Sequence, residues 1–285
     1  MKMIDFIKEK LNSFDKYYYK QDGVVIAFNK TNAYEKLDLV AKELYLDSSI
    51  YEKNFKKGNH FTYNKEEVTI SDVLFYHLVL VPNKKIITQE DFNNKLKELE
   101  LTKERPTLLM HSCCGPCSSY CLEYLYKYFD ITILYYNPNI DTIDEFDKRL
   151  EYQKKIIDSL GYDIKLIVPK YNHSEFLDYI KGYENNKEGE KRCYLCYEKR
   201  LEALAKYANG KYDFYTSTLS VSPYKNASWI NGIGALVNEK YQETHYLYAN
   251  FKLNDGYKRS IELSKKYNLY RQDYCGCEFS YHIKH

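Results

Sequence analysis

The chain has 285 residues and carries 42 Lys and Arg against 40 Asp and Glu, a formal net charge of +2. That balance excludes a strongly basic nucleic-acid coat and an acidic tail, so an RNA ligand would have to be met by a local patch. With 44% hydrophobic and 29% charged residues, the chain is long enough for one large domain or two modest ones and is neither disordered nor fibrous. Its first residues break every apolar run with charge, which predicts no secretory signal. The longest apolar-looking stretch, Val73 to Val81, is too short to span a bilayer. The expectation is a cytoplasmic protein with no membrane partner.

Taken in chain order, the pattern predicts a helix over about 3–20, a strand at Val24–Asn29, a helix over about 32–46 and weaker elements from 50 to 89. A charged helical stretch, Glu90 to Glu104, is stopped by Pro106. We place a boundary there, with 1–105 as an accessory α/β region and 106–285 as the part that carries chemistry. Beyond Pro106 strands and helices alternate. Thr107–His111 reads as a strand, and a helix opening at Pro116 should reach about Phe129. A strand at Ile131–Tyr135, a helix at Asp144–Leu160 ended by Gly161, and a strand at Ile164–Val168 follow. Helices at about 173–182 and 195–208, a strand at Asp213–Thr216 and a helix at about 225–236 come next. A strand near 244–248 and a helix at 256–267 complete the series. This rhythm predicts an α/β doubly wound parallel sheet, whose ligands bind beyond the carboxyl ends of the strands.

Eight cysteines occur, none before residue 113. They fall into tight groups: Cys113, Cys114, Cys117 and Cys121, then Cys193 and Cys196, then Cys275 and Cys277. A disulfide scaffold belongs to short secreted domains, so this grouping points to metal or redox chemistry. Adjacent Cys113 and Cys114 suit one zinc poorly, whereas neighbouring thiolates can reach different irons of a cluster. Cys193 and Cys196 open a helix, where backbone N–H groups favour a thiolate. Cys121, one helical turn after Cys117, reads as a small buried hydrophobe. Cys275 and Cys277 are either a strained redox disulfide or two further ligands. His111 reads as a core histidine before it reads as a base or ligand. Phosphate-binding glycine loops are missing from the sequence, and cysteines stand at the first strand–helix turn instead. The 33 tyrosines accompany abundant Lys, Asn and Ile, so we read them as compositional bias before base stacking.

Several motifs in one order now carry a resemblance: His111-Ser-Cys-Cys-Gly-Pro-Cys117, Tyr136-Asn-Pro-Asn139, Cys193-Tyr-Leu-Cys-Tyr-Glu-Lys-Arg200, Ser220-Val-Ser-Pro-Tyr224, Gly256-Tyr-Lys-Arg259 and Arg271-Gln-Asp-Tyr-Cys-Gly-Cys277. Over roughly 106–280 the chain resembles the cobalamin-independent epoxyqueuosine reductases, the QueH family. The resemblance implies an adenine-nucleotide α-hydrolase-like (HUP) fold and reduction of the epoxide of epoxyqueuosine at the tRNA wobble position, the last step of queuosine synthesis. It also implies a 4Fe–4S cluster on Cys113, Cys114, Cys193 and Cys196, and a redox-active pair at Cys275 and Cys277. Cys117 would serve a second, mononuclear iron. The partners implied are tRNA bearing epoxyqueuosine and an external electron donor. For the tRNA phosphates we expect Lys258, Arg259 and Arg200 as contacts, against the plainer reading of a solvated helix face. Two other readings stay open: a metal-stabilised RNA-binding module without catalysis, and a thiol–disulfide oxidoreductase.

Overall fold

The computed structural model describes residues 89–280, together with the backbone of two strands at 16–21 and 24–29. Those strands, β1 (Lys16–Gln21) and β2 (Val24–Asn29), pair antiparallel with Tyr18 opposite Ala27. β2 is where the sequence puts it. β1 overturns the last turn of the helix expected over 3–20, because Tyr17-Tyr18-Tyr19 favours a pleated surface and Asp22-Gly23 between the strands is a hairpin sequence. The rest of that helix, the helix over 32–46 and the elements from 50 to 88 lie outside the described residues.

Helix α1 (Gln89–Thr102) leads into a five-stranded sheet formed by β3 (Thr107–His111), β4 (Asp130–Leu134), β5 (Lys165–Ile167), β6 (Phe214–Ser217) and β7 (His245–Tyr246). The strand order is β5-β4-β3-β6-β7 and every pairing is parallel. Between the strands run α2 (Gly115–Leu125), α3 (Ile143–Leu160), α4 (Ser174–Ile180), α5 (Lys191–Ala208) and α6 (Ala227–Lys240), and α7 (Gly256–Lys266) closes the series. The doubly wound expectation holds. The chain leaves β3 toward β4 and β5 on one side and returns to β6 and β7 on the other, so the order reverses between β3 and β6. A crevice opens beyond their carboxyl ends at such a point.

Residue alternation in β3 explains its unbroken apolar run. Leu109 packs with α5 and α6 on one face, while Leu108 and Met110 pack with α1, α2 and α7 on the other. Local signals fix the helix ends. Thr142 Oγ1 accepts the Glu145 N–H at 3.2 Å, and Gly161 ends α3 in the left-handed region at φ 66°. Asn226 Oδ1 accepts the Trp229 N–H at 3.1 Å and starts α6. The helix expected from about 195 begins one turn earlier, at Lys191, so Cys193 and Cys196 both lie in its opening turns. Among the described residues no helix is long and apolar enough to cross a membrane.

Candidate metal and substrate site

β3 delivers Cys113 and Cys114 to the crevice, and α2 starts at once behind them. Cys114 is the extended cap residue of α2 at φ −174°, with Pro116 in the first turn. The sharp entry depends on Gly115, where a Cβ would lie 2.5 Å from the Tyr152 carbonyl oxygen of α3. The thiols of Cys113, Cys114 and Cys117 consequently gather within 4.8 Å of one another, and Cys113 Sγ lies 3.7 Å from Cys114 Sγ. Three thiols this close cannot all ionise without a cation. The Cys114 and then the Cys117 thiol bond to Cys113 and hold its pKa well below the usual thiol range. Cys114 is in turn pushed up to about 11, chiefly by its bond to Cys113, and Cys117 is raised well above the ordinary value for the same reason. The group is a ready-made set of soft metal ligands.

α5 faces the same place. Cys193 Sγ accepts the Gly189 N–H at 3.3 Å, and Cys196 Sγ accepts from Arg200 Nη2 at 3.1 Å. Burial pushes both thiols up to about 12, with the neighbouring Cys275 adding to it. Cys275 and Cys277, both free thiols, arrive on the C-terminal turn. Gly276 between them sits at φ 105°, and its carbonyl accepts the Asp141 N–H at 3.0 Å. Arg149 Nη1 donates to the Cys275 carbonyl at 3.2 Å while Arg149 Nε pairs with Glu145 at 2.5 Å. Cys113, Cys114, Cys196 and Cys277 share one buried cluster, with Cys117 and Cys193 packed against it. The three cysteine groups therefore converge, although the tight triad is Cys113, Cys114 and Cys117 and does not include the α5 pair.

Two cations, the buried Arg200 and the half-buried Lys225, stand among these thiols. Burial opposes the charge of Arg200, but the thiolates of Cys196, Cys275 and Cys113 outweigh it and raise its pKa. The same contest at Lys225, with Cys275, Cys113 and Cys117, also ends upward. Arg200 is 1% exposed and lines the cleft beside Cys196, so it does not lie on the outer surface. Arg259 holds Glu123 through Nε and Nη2, each at 2.8 Å, and Glu262 at 3.0 Å, whereas Lys258 is exposed. His111 is fully buried, with Nε2 donating to the Tyr136 carbonyl and Nδ1 accepting from Ser217 Oγ, both at 3.0 Å. Burial, then Arg200, lowers its pKa to about 4, so it is a neutral strand-to-strand tie. Cys121 is 0% exposed and packs in the other core cluster.

A cleft of about 340 Å³ opens onto this centre, lined by Cys113, Cys117, Cys275, Arg149, Arg200 and Lys225 among others. The sequence reading missed Arg149 and Lys225. Arg149 sits four residues after Glu145, the spacing of an ordinary solvated helix pair, but it is 2% exposed.

The model of the epoxyqueuosine reductase QueH family matches residues 108–282. The chain belongs to the QueH family. It is similar to the epoxyqueuosine reductase QueH of Staphylococcus epidermidis, 40% identical over 210 residues that cover 71% of this chain and 88% of the relative. The Streptococcus pyogenes protein of the same name is 37% identical over 204 residues, 70% of this chain and 80% of its own length. For the Thermotoga maritima QueH the figures are 33% over 178 residues, 61% and 90%. The QueH match spans the parallel sheet and all three cysteine groups, so the HUP-like fold expected from the motifs and the observed strand order agree.

Proposed function

We infer that this protein is an epoxyqueuosine reductase, which reduces epoxyqueuosine to queuosine in tRNA. The observation that carries the reading is a QueH match over 108–282 whose cysteine groups all meet at one edge of the sheet. Turning an epoxide into an alkene removes its oxygen as water and consumes two electrons and two protons. The thiol set fits a thiolate-bound metal centre: Cys113, Cys114, Cys193 and Cys196 would hold a 4Fe–4S cluster, and Cys117 a second iron. Bound iron would supply single electrons and a Lewis acid for the epoxide oxygen. Around it, Arg200 and Lys225 offset the accumulated thiolate charge, and the buried walls keep bulk water from the thiols. Cys275 and Cys277 are the redox-active pair, positioned on a turn that Arg149 and Asp141 hold and fed by an external donor. Lys258 lies next to the cleft-lining Tyr257, where an incoming tRNA phosphate would pass; Arg259 would have to release Glu123 to join it. An accessory role for the residues before α1 and a cytoplasmic setting complete the proposal. Nucleosides from the tRNA of cells lacking this protein test it. Accumulated epoxyqueuosine supports the reading, and an unchanged queuosine content overturns it.

A further inference from the structure

The lining of the cleft carries polar atoms that a thiolate–metal centre has no use for. Asn137 Oδ1, Asn139 Oδ1, Gln272 Oε1 and Arg149 Nη2 are buried, belong to cleft-lining residues, and have no hydrogen-bond partner among the described residues. A buried polar atom left in that state costs about 1–3 kcal/mol, so several in one cleft call for a ligand.

The orientation of Asn137, Gln272 and Arg149 follows from the bonds they make. Asn137 donates Nδ2 to the Ser112 carbonyl at 2.9 Å, which only an amide nitrogen can do, so the oxygen is the end left over. Gln272 donates Nε2 to Cys114 Sγ at 3.1 Å, which leaves Oε1. Arg149 spends Nε on Glu145 and Nη1 on the Cys275 carbonyl, and Nη2 remains. Asn137, Asn139 and Arg149 are each 2% exposed, so bulk water is a poor substitute. Thiolates and inorganic sulfide only accept hydrogen bonds, and amide oxygens would be repelled by them. The lining is therefore complementary to a molecule rich in O–H and N–H donors that also offers an oxygen to a guanidinium.

Resting on the reductase reading, we propose that Asn137, Asn139 and Gln272 form the subsite that reads the diol and ammonium donors of the substrate's cyclopentane ring, with Arg149 Nη2 holding one of its oxygens. The side chain of epoxyqueuosine carries such a set: a protonated secondary amine, vicinal hydroxyls and the epoxide oxygen. This subsite makes the enzyme discriminate by the ring and not by the deazaguanine base alone. A site built to pair polar groups rejects analogues that lack them far more strongly than an apolar pocket can.

The test is equilibrium binding of two nucleosides, queuosine and 7-aminomethyl-7-deazaguanosine, which lacks the ring, to the intact protein. Asn139 is the position to vary, since no bond among the described residues depends on its side-chain oxygen. The wild type should prefer queuosine by about tenfold or more, Asn139→Leu should lose most of that preference, and Asn139→Asp, which keeps an acceptor, should retain it. Thermal melts and iron content show whether each variant is folded and loaded. A wild type without preference, or without binding to either nucleoside, overturns the subsite whether or not the variants fold. So does a folded Asn139→Leu that discriminates like the wild type. Failure of the reductase reading would show separately, as unchanged queuosine in the tRNA of cells lacking the protein.

Discussion

At the residue scale, burial separates the cysteines that spacing alone cannot rank. Cys193→Ser should remove iron and visible colour from anaerobically purified protein; full retention of both would refute its place as a cluster ligand. Cys121→Ser should keep the iron, since Cys121 packs among Leu122, Leu125 and Met110, and should cost about 1–3 kcal/mol for burying a hydroxyl. Cys275→Ala separates the two uses of the C-terminal pair. A relay predicts normal iron with slow multiple turnover, whereas ligation predicts lost metal; iron content and single-turnover rate, measured together, decide. The cysteine groups were legible because thiols in tight spacing have few bland explanations. Asn137 and Asn139 stood in a motif of the resemblance without a role, and Arg149 and Lys225 stood in none, because a charge beside or on a helix is ordinary until the fold brings it to the thiols.

At the element scale, most boundaries came from local chemistry that a sequence displays: Pro116 opening α2, Gly161 closing α3, and the alternation of apolar runs with amphipathic helices. The hairpin strand β1 was misread because an apolar-and-lysine pattern fits a helix when the tyrosine run is given too little weight. What no local pattern reveals is close approach between elements, as at Gly115. Gly115→Ala would drive a methyl into the Tyr152 carbonyl and force α2 from α3, at about 1–3 kcal/mol. Because α2 follows Cys114 directly and carries Cys117, the same variant should lose iron, and a folded, fully loaded Gly115→Ala would contradict this. Asp213 ties β3 to β6 from the other end, accepting the Thr107 N–H at 2.8 Å and its hydroxyl at 2.7 Å. Those bonds hold its carboxyl below the usual carboxylate range. A depressed carboxylate stabilises the fold above its unfolded pKa of about 4 and loses that contribution as pH falls through the lower folded value. Asp213→Asn should therefore flatten the acid limb of the stability profile below about pH 4. Solvent exposure keeps its neutral-pH cost under about 1 kcal/mol.

At the scale of the whole molecule, the reversal of strand order between β3 and β6 is what assembles the site. It sends Cys113 and Cys114 out of the first catalytic strand, brings α5 across one face, and leaves an edge that the C-terminal turn covers. The same scale tests where the catalytic unit begins. Sequence composition puts the break at Pro106, since the helix before it is highly charged. In the structure that helix, α1, buries Phe92, Leu96 and Leu99 to 3% exposure or less, in one cluster with Leu108, Met110, Leu125 and Phe251. The Phe92 ring meets Phe251 edge-on at 6.1 Å, and Gln89 Oε1 accepts the Asn250 N–H at 2.8 Å. Full burial of such a side chain is worth about 1.5–3 kcal/mol, so the three together rival the net stability of a modest domain. A fragment that starts at residue 106 should therefore be insoluble or melt far below the intact chain, while one that starts a few residues before Gln89 should fold and bind iron as the intact chain does. Equal melting midpoints for the two fragments would show that α1 is dispensable and that the break belongs at Pro106.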